Sequence, residues 1–130
     1  MVRKLVALCS LVVLMSLLAG CVVQSKPASA SNTVTMGPNN FASGESITVK
    51  KGQSLTFVDD KATGSLHILV IGAQGQAKDE AGAPDFKGST GITFQPGQSW
   101  TSPPWMTPGT YDVTCTVHPQ TMNLKVTVTA

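Results

Sequence analysis

The sequence predicts an all-β domain, a sandwich or barrel of about eight strands. Three observations carry that prediction. From Asn32 onward, apolar residues never recur at helical spacing over a long window. They alternate with polar residues or form short β-branched runs. Those runs are bounded by Gly, Pro, Asn and Asp, the residues of tight turns.

Taken in order, "NTVTM" (32–36) is a first strand. "ESITVKKGQSLTFVDD" (45–60) holds two strands parted at Lys51-Gly52. "SLHILVIG" (65–72) is a short apolar strand with His67 inside it. Residues 73–90, "AQGQAKDEAGAPDFKGST", are polar and rich in Gly, and read as a long surface loop or a short irregular insertion. "GITFQPGQSW" (91–100) supplies two short strands around a Pro96-Gly97 turn. "PGTYDVTC" (108–115) leaves a Pro-Gly turn and sets Tyr111, Val113 and Cys115 on one face. "NLKVTVTA" (123–130) does the same with Leu124, Val126 and Val128. Trp100, Trp105 and Tyr111 read as core and sheet packing, with Trp105 as an alternative rim residue beside the ligand cluster described below.

The front of the chain has a different character. Arg3 and Lys4 form a basic head, Leu5 to Leu18 is an almost unbroken apolar run, and "LAGC" closes it with small residues before Cys21. The run falls short of the roughly 20 apolar residues that cross a bilayer. The stretch resembles a bacterial lipoprotein signal. That resemblance implies a signal peptide over 1–20, lipid on Cys21, and a small, polar tether over 21–31. The domain is then 32–130, about the size of one ordinary domain, exported and anchored to the extracytoplasmic face of a bacterial membrane.

The formal charge of +2 is accounted for by Arg3 and Lys4; beyond them seven lysines face seven acids. No basic cluster is left in the domain to suggest a nucleic-acid partner. With Cys9 in the signal and Cys21 lipidated, Cys115 is the single free thiol of the domain. Exported domains commonly pair their cysteines, so a lone one calls for a reason: a reactive thiol, an intermolecular bridge or a metal ligand.

"TCTVHPQTM" (114–122) offers that reason. Cys115 ends a strand, His118 and Pro119 sit in the turn, and Met122 leads into the last strand, so all three can converge on one point. A thiolate, an imidazole and a thioether form a soft donor set that suits copper far better than magnesium or calcium. A blue-copper site requires a second imidazole, and the domain has one other histidine, His67. Each residue taken singly has a plainer reading: His67 as a packed strand residue, Cys115 as inert core, Met122 as core. Met106 is a rival thioether. The exact supply of two His and one Cys favours a metal site.

"GSLHILVIG" (64–72) followed by "PGTYDVTCTVHPQTMNLKVTV" (108–128) resembles the cupredoxins, the family of plastocyanin, amicyanin and azurin. The resemblance spans the β domain and implies a Greek-key sandwich of eight strands. It implies one mononuclear type 1 copper ion held by His67, Cys115 and His118, with Met122 as the axial ligand. Two features depart from the family pattern. Three residues separate His118 from Met122, a distance that varies within the family. Ile68, and not an Asn, follows the upstream histidine, so the group steadying the ligand loop must be another residue, with Asp59, Asp60 and Thr116 as candidates.

The function implied is a monomeric carrier of single electrons between redox proteins at the membrane surface. The domain shows no Ser/His/Asp set in credible order and no Gly-rich phosphate loop before a helix, so an enzyme is not expected. The adjacent acids Asp59-Asp60 and Asp79-Glu80 read as solvated turn formers. Two alternatives stand beside the carrier: a copper delivery, storage or tolerance protein using the same ligands, and a metal-free structural module.

Overall fold

A computed structural model describes residues 31–130. The signal sequence, Cys21 and the tether up to residue 30 lie outside the described residues. The described residues form nine strands: β1 Thr33–Met36, β2 Ser46–Lys50, β3 Thr56–Asp59, β4 His67–Ala73, β5 Gln76–Ala77, β6 Ile92–Phe94, β7 Ser99–Thr101, β8 Gly109–Cys115 and β9 Asn123–Thr129. One sheet has the order β1-β3-β7; the other runs β2-β9-β8-β4-β5, with β6 also paired to β4. The chain alternates between the sheets through its first four strands, so β1 lies parallel to β3, and β2 lies parallel to β9. This is the all-β sandwich that the alternating pattern predicts.

Strand periodicity decides which side chains meet between the sheets. Val34 and Met36 of β1, Leu69 and Ile71 of β4, Val113 and Cys115 of β8, and Leu124, Val126 and Val128 of β9 all point into the same core. Trp105 lies in this core with no exposed surface, its ring 5.5 Å from Tyr111 and 6.2 Å from Phe86. Its backbone pairs with Gly52 and Gln53, just beyond the end of β2. Tyr111 lies four residues before Cys115 on β8, about 13 Å along a strand. The core reading of Trp105 holds and the rim alternative is corrected: its ring packs against Tyr111 and Phe86, at the end of the sandwich away from Cys115. Its neighbour Met106, 57% exposed, goes with it.

Segment 73–90 is largely exposed and irregular, as its reading as a surface loop or irregular insertion expects, and departs from it at its first hairpin and at Phe86. It opens with the β4–β5 hairpin, in which Gly72 pairs with Ala77. It then sends Phe86 into the core, where that ring packs edge-on against Phe57 (5.6 Å) and Trp100 (4.9 Å). Gly91 closes the segment at φ +73°, and any Cβ there would lie within 2.9 Å of Ile68, Leu69 and Val70 atoms. The close approach covers the outer face of β4, which explains why Val70 is buried as well as its neighbours Leu69 and Ile71.

Candidate metal centre

The pairing of β4 with β8 brings together residues far apart in sequence. Leu69 stands opposite Cys115 in the antiparallel register. His67, two residues earlier on β4, faces the same side of the sheet. Its Nδ1 lies 3.8 Å from Cys115 Sγ, across 48 residues of chain. His118 Nδ1 lies 3.8 Å from the same sulfur. The ligand atoms of His67, Cys115 and His118 all fall within 4.8 Å of one another. His67 and Cys115 are fully buried, and His118 is half-buried.

Met122 joins them through the loop. It is fully buried. Its carbonyl accepts from the Cys115 N–H (3.0 Å) and its N–H donates to the His118 carbonyl (3.0 Å). The structure thus gathers His67, Cys115, His118 and Met122 at one end of the sandwich and leaves Met106 at the other.

The donor set can be tested against an ion. An imidazole nitrogen about 2.0 Å and a thiolate sulfur about 2.3 Å from one metal, 120° apart, stand about 3.7 Å from each other. A tetrahedral angle brings them to about 3.5 Å. The two separations of 3.8 Å are close to both values, so one ion can reach the sulfur and each imidazole. Two imidazoles and one thiolate in a plane with a thioether nearby is the type 1 copper set. The cluster fits one mononuclear type 1 copper ion.

Burial, the largest influence, holds the His67 imidazole below its ordinary value of 6.5. The Asp59 carboxylate and the Gly37 backbone pull the other way, and His118 adds to the lowering. His67 is therefore neutral at pH 7, with a lone pair free to coordinate.

The ligand loop is steadied by groups that sequence reasoning did not single out. The buried Thr114 hydroxyl accepts from the Gly75 N–H (2.8 Å) and shares its proton between the Met122 carbonyl (3.1 Å) and Asn123 Oδ1 (2.9 Å). Asn123 donates to the Pro119 carbonyl (2.9 Å) and accepts from the Gln74 N–H (2.7 Å). A Cβ on Gly75 would lie 2.4 Å from Pro119 Cβ, so only glycine lets the β4–β5 turn press against the loop. The turn residues Gln74-Gly75 and the polar alternation Thr114/Asn123 were the available signals, but neither residue is a metal donor type.

Of the three candidates for this role, Thr116 acts through its backbone N–H, which donates to the Ile68 carbonyl (2.9 Å). Asp60 instead caps a short 3₁₀ turn by accepting from the Ala62 N–H (2.9 Å). Asp59 is fully buried and lies behind His67.

The two sheets and the site at their end define a protein of the cupredoxin fold. Among solved structures the chain is similar to amicyanin from Paracoccus versutus, with a TM-score of 0.57 and 22% identity over 79% of this chain and 84% of that one. It is equally similar to a reduced amicyanin mutant (TM-score 0.57, 22% identity, 75% and 80% covered). A mutant amicyanin in its Cu(I) form gives the same score and identity, with 78% and 85% covered. No protein-family model matches the chain, and no curated protein matches it.

Proposed function

We propose that this is a lipid-anchored type 1 copper protein that passes single electrons between redox proteins outside the cytoplasm. One observation carries the reading: two imidazoles and the domain's single free thiol converge within 4.8 Å of one another, with His67 and Cys115 buried and Met122 packed into the same loop. The likeness to amicyanin, which has been solved in a Cu(I) form, supports copper as the ion.

Copper, when bound, supplies a one-electron couple. The protein's part is to hold its donors still. His67, Cys115 and Met122 are buried on strands or tied by backbone hydrogen bonds, so little rearranges as charge changes. Four protein donors leave no position for a substrate, which favours a carrier over an enzyme. His118 is the ligand nearest solvent, and Val117 (42% exposed), Leu66 (39% exposed) and Pro119 adjoin the ligands in sequence. These residues give an uncharged docking surface suited to brief encounters over a small area. The basic head, apolar run and Cys21 support export and lipid attachment, which confines the search for a partner to the membrane surface. The protein acts as a monomer in this reading.

The test is to add Cu(II) to the purified protein and record its visible spectrum. An intense thiolate-to-copper band supports the site, and its absence overturns the reading. Copper that stays bound through repeated oxidation and reduction marks a carrier; ready loss to an acceptor protein marks a delivery role. Met122→Leu should keep the colour and raise the potential, because a weak donor to the oxidised ion is replaced by an apolar group. The scale is on the order of 59 mV for a tenfold change in relative affinity. An unchanged potential would show that Met122 is not the axial donor.

A further inference from the structure

Two buried polar atoms behind the site have no hydrogen-bond partner among the described residues: His67 Nε2 and Asp59 Oδ2. They belong to neighbouring groups. Asp59 Oδ1 lies 3.7 Å from His67 Nε2, and both side chains are fully buried. That separation is longer than a hydrogen bond. The carboxylate is nevertheless held in place from several sides. Asp59 ends β3, its N–H donates to the Gln98 carbonyl (2.8 Å), and its carbonyl accepts from the Gly97 N–H (2.9 Å). Its Oδ1 accepts from the Thr63 hydroxyl (2.9 Å), which in turn accepts from the Ser65 N–H (3.2 Å).

A buried carboxylate with one oxygen unpaired costs stability, and such a group calls for an explanation. The explanation follows from the histidine's geometry. His67 points Nδ1 at Cys115 Sγ and Nε2 at Asp59. A neutral imidazole carries one proton. A metal on Nδ1 forces that proton onto Nε2, where it becomes a donor aimed at an anchored carboxylate with one oxygen still unpaired. Closing the gap to hydrogen-bond length needs a shift of less than 1 Å.

The geometry points to Asp59 as the residue that positions His67 for copper, completing a carboxylate–histidine–metal chain with Thr63 as its outer anchor. This rests on the copper reading above. The carboxylate fixes the ring orientation and raises the basicity of Nδ1. Its negative charge favours the more highly charged oxidised ion. The Gly37 backbone also faces His67 and is the rival acceptor; it would leave Asp59 without influence on the metal.

The experiment compares wild type, Asp59→Asn and Thr63→Val, each loaded with copper alone. Asp59→Asn keeps the shape and removes the charge. Its Cu(II) affinity, measured by competition with a chelator, should fall about 10–100-fold. The reduction potential should rise by up to the same factor, about 59–118 mV at 59 mV per tenfold for one electron. The thiolate-to-copper band should remain. Metal-free Asp59→Asn should melt no lower than wild type, since an unpaired buried charge has been removed. Thr63→Val should move affinity and potential in the same direction by less, and it keeps the question answerable should Asp59→Asn fold poorly. A wild-type band with affinity and potential unchanged in both variants overturns the role of Asp59 and leaves the copper site standing. Loss of metal-free stability without a change in potential assigns Asp59 to the scaffold and also overturns it. A wild type with no band overturns both readings.

Discussion

Replacing Cys115 with serine abolishes the visible copper band and lowers copper affinity by more than the roughly 10–100-fold that loss of a supporting contact costs. Cys115 Sγ is the atom that both imidazoles approach, at 3.8 Å each. A thiolate is a soft anionic donor. A serine hydroxyl in the same place is neutral at pH 7 and hard, so it offers neither the covalency behind the colour nor the charge that neutralises the ion. The substitution also buries a hydroxyl where the sulfur had no exposed surface, at a cost of about 1–3 kcal/mol. A thermal melt of the metal-free variant therefore accompanies the spectrum. Cys115→Ala, which adds no polar group, should give the same colourless protein. A band that survives in either variant means that the thiolate is not the donor.

Phe86→Ala should destabilise the domain by about 3–5 kcal/mol, a large fraction of the 5–15 kcal/mol typical of a whole domain. Its melting temperature should fall by more than about 10 °C. The ring is 1% exposed and packs edge-on against Phe57 and Trp100. Truncation removes that apolar burial and leaves a cavity between the sheets. A solvated loop would behave otherwise: a substitution in it would change stability by no more than about 0.5 kcal/mol. The exposed Ser89, three residues on, supplies that control as Ser89→Ala. The folded fraction of Phe86→Ala should keep the copper spectrum of wild type, since none of the four donors is among the rings it packs against. A melting temperature within a degree or two of wild type would sink the view that Phe86 anchors segment 73–90 in the core.

Phe86 also shows where sequence pattern runs out. A single aromatic among "AGAPDFKGST" has no periodic neighbours, so nothing local marks it as buried. Its burial depends on two rings from β3 and β7 leaving a space that one more ring fills. The outer face of β4 is hidden in the same way, by an approach at Gly91 that strand alternation cannot report. Both features have one source: Phe86 and Gly91 are placed by packing and not by local propensity.

The strands β8 and β9 were legible because strand periodicity is a local property: Tyr111, Val113 and Cys115 lie on one face whatever they pack against. The convergence of Cys115, His118 and Met122 was legible for the same reason, since a short turn between two strands carries all three. The chain's stock of histidines singled out His67 as the remaining imidazole. Only the tertiary structure decided that His67 meets Cys115, because the β4–β8 register sets Leu69 against the cysteine and leaves His67 one inward step away. It also decided what surrounds the donors: Asp59 behind His67, and Thr114, Asn123 and Gly75 around the loop. Donor types are written residue by residue, whereas register and close approach are fixed by the burial of the whole core, in which every strand takes part.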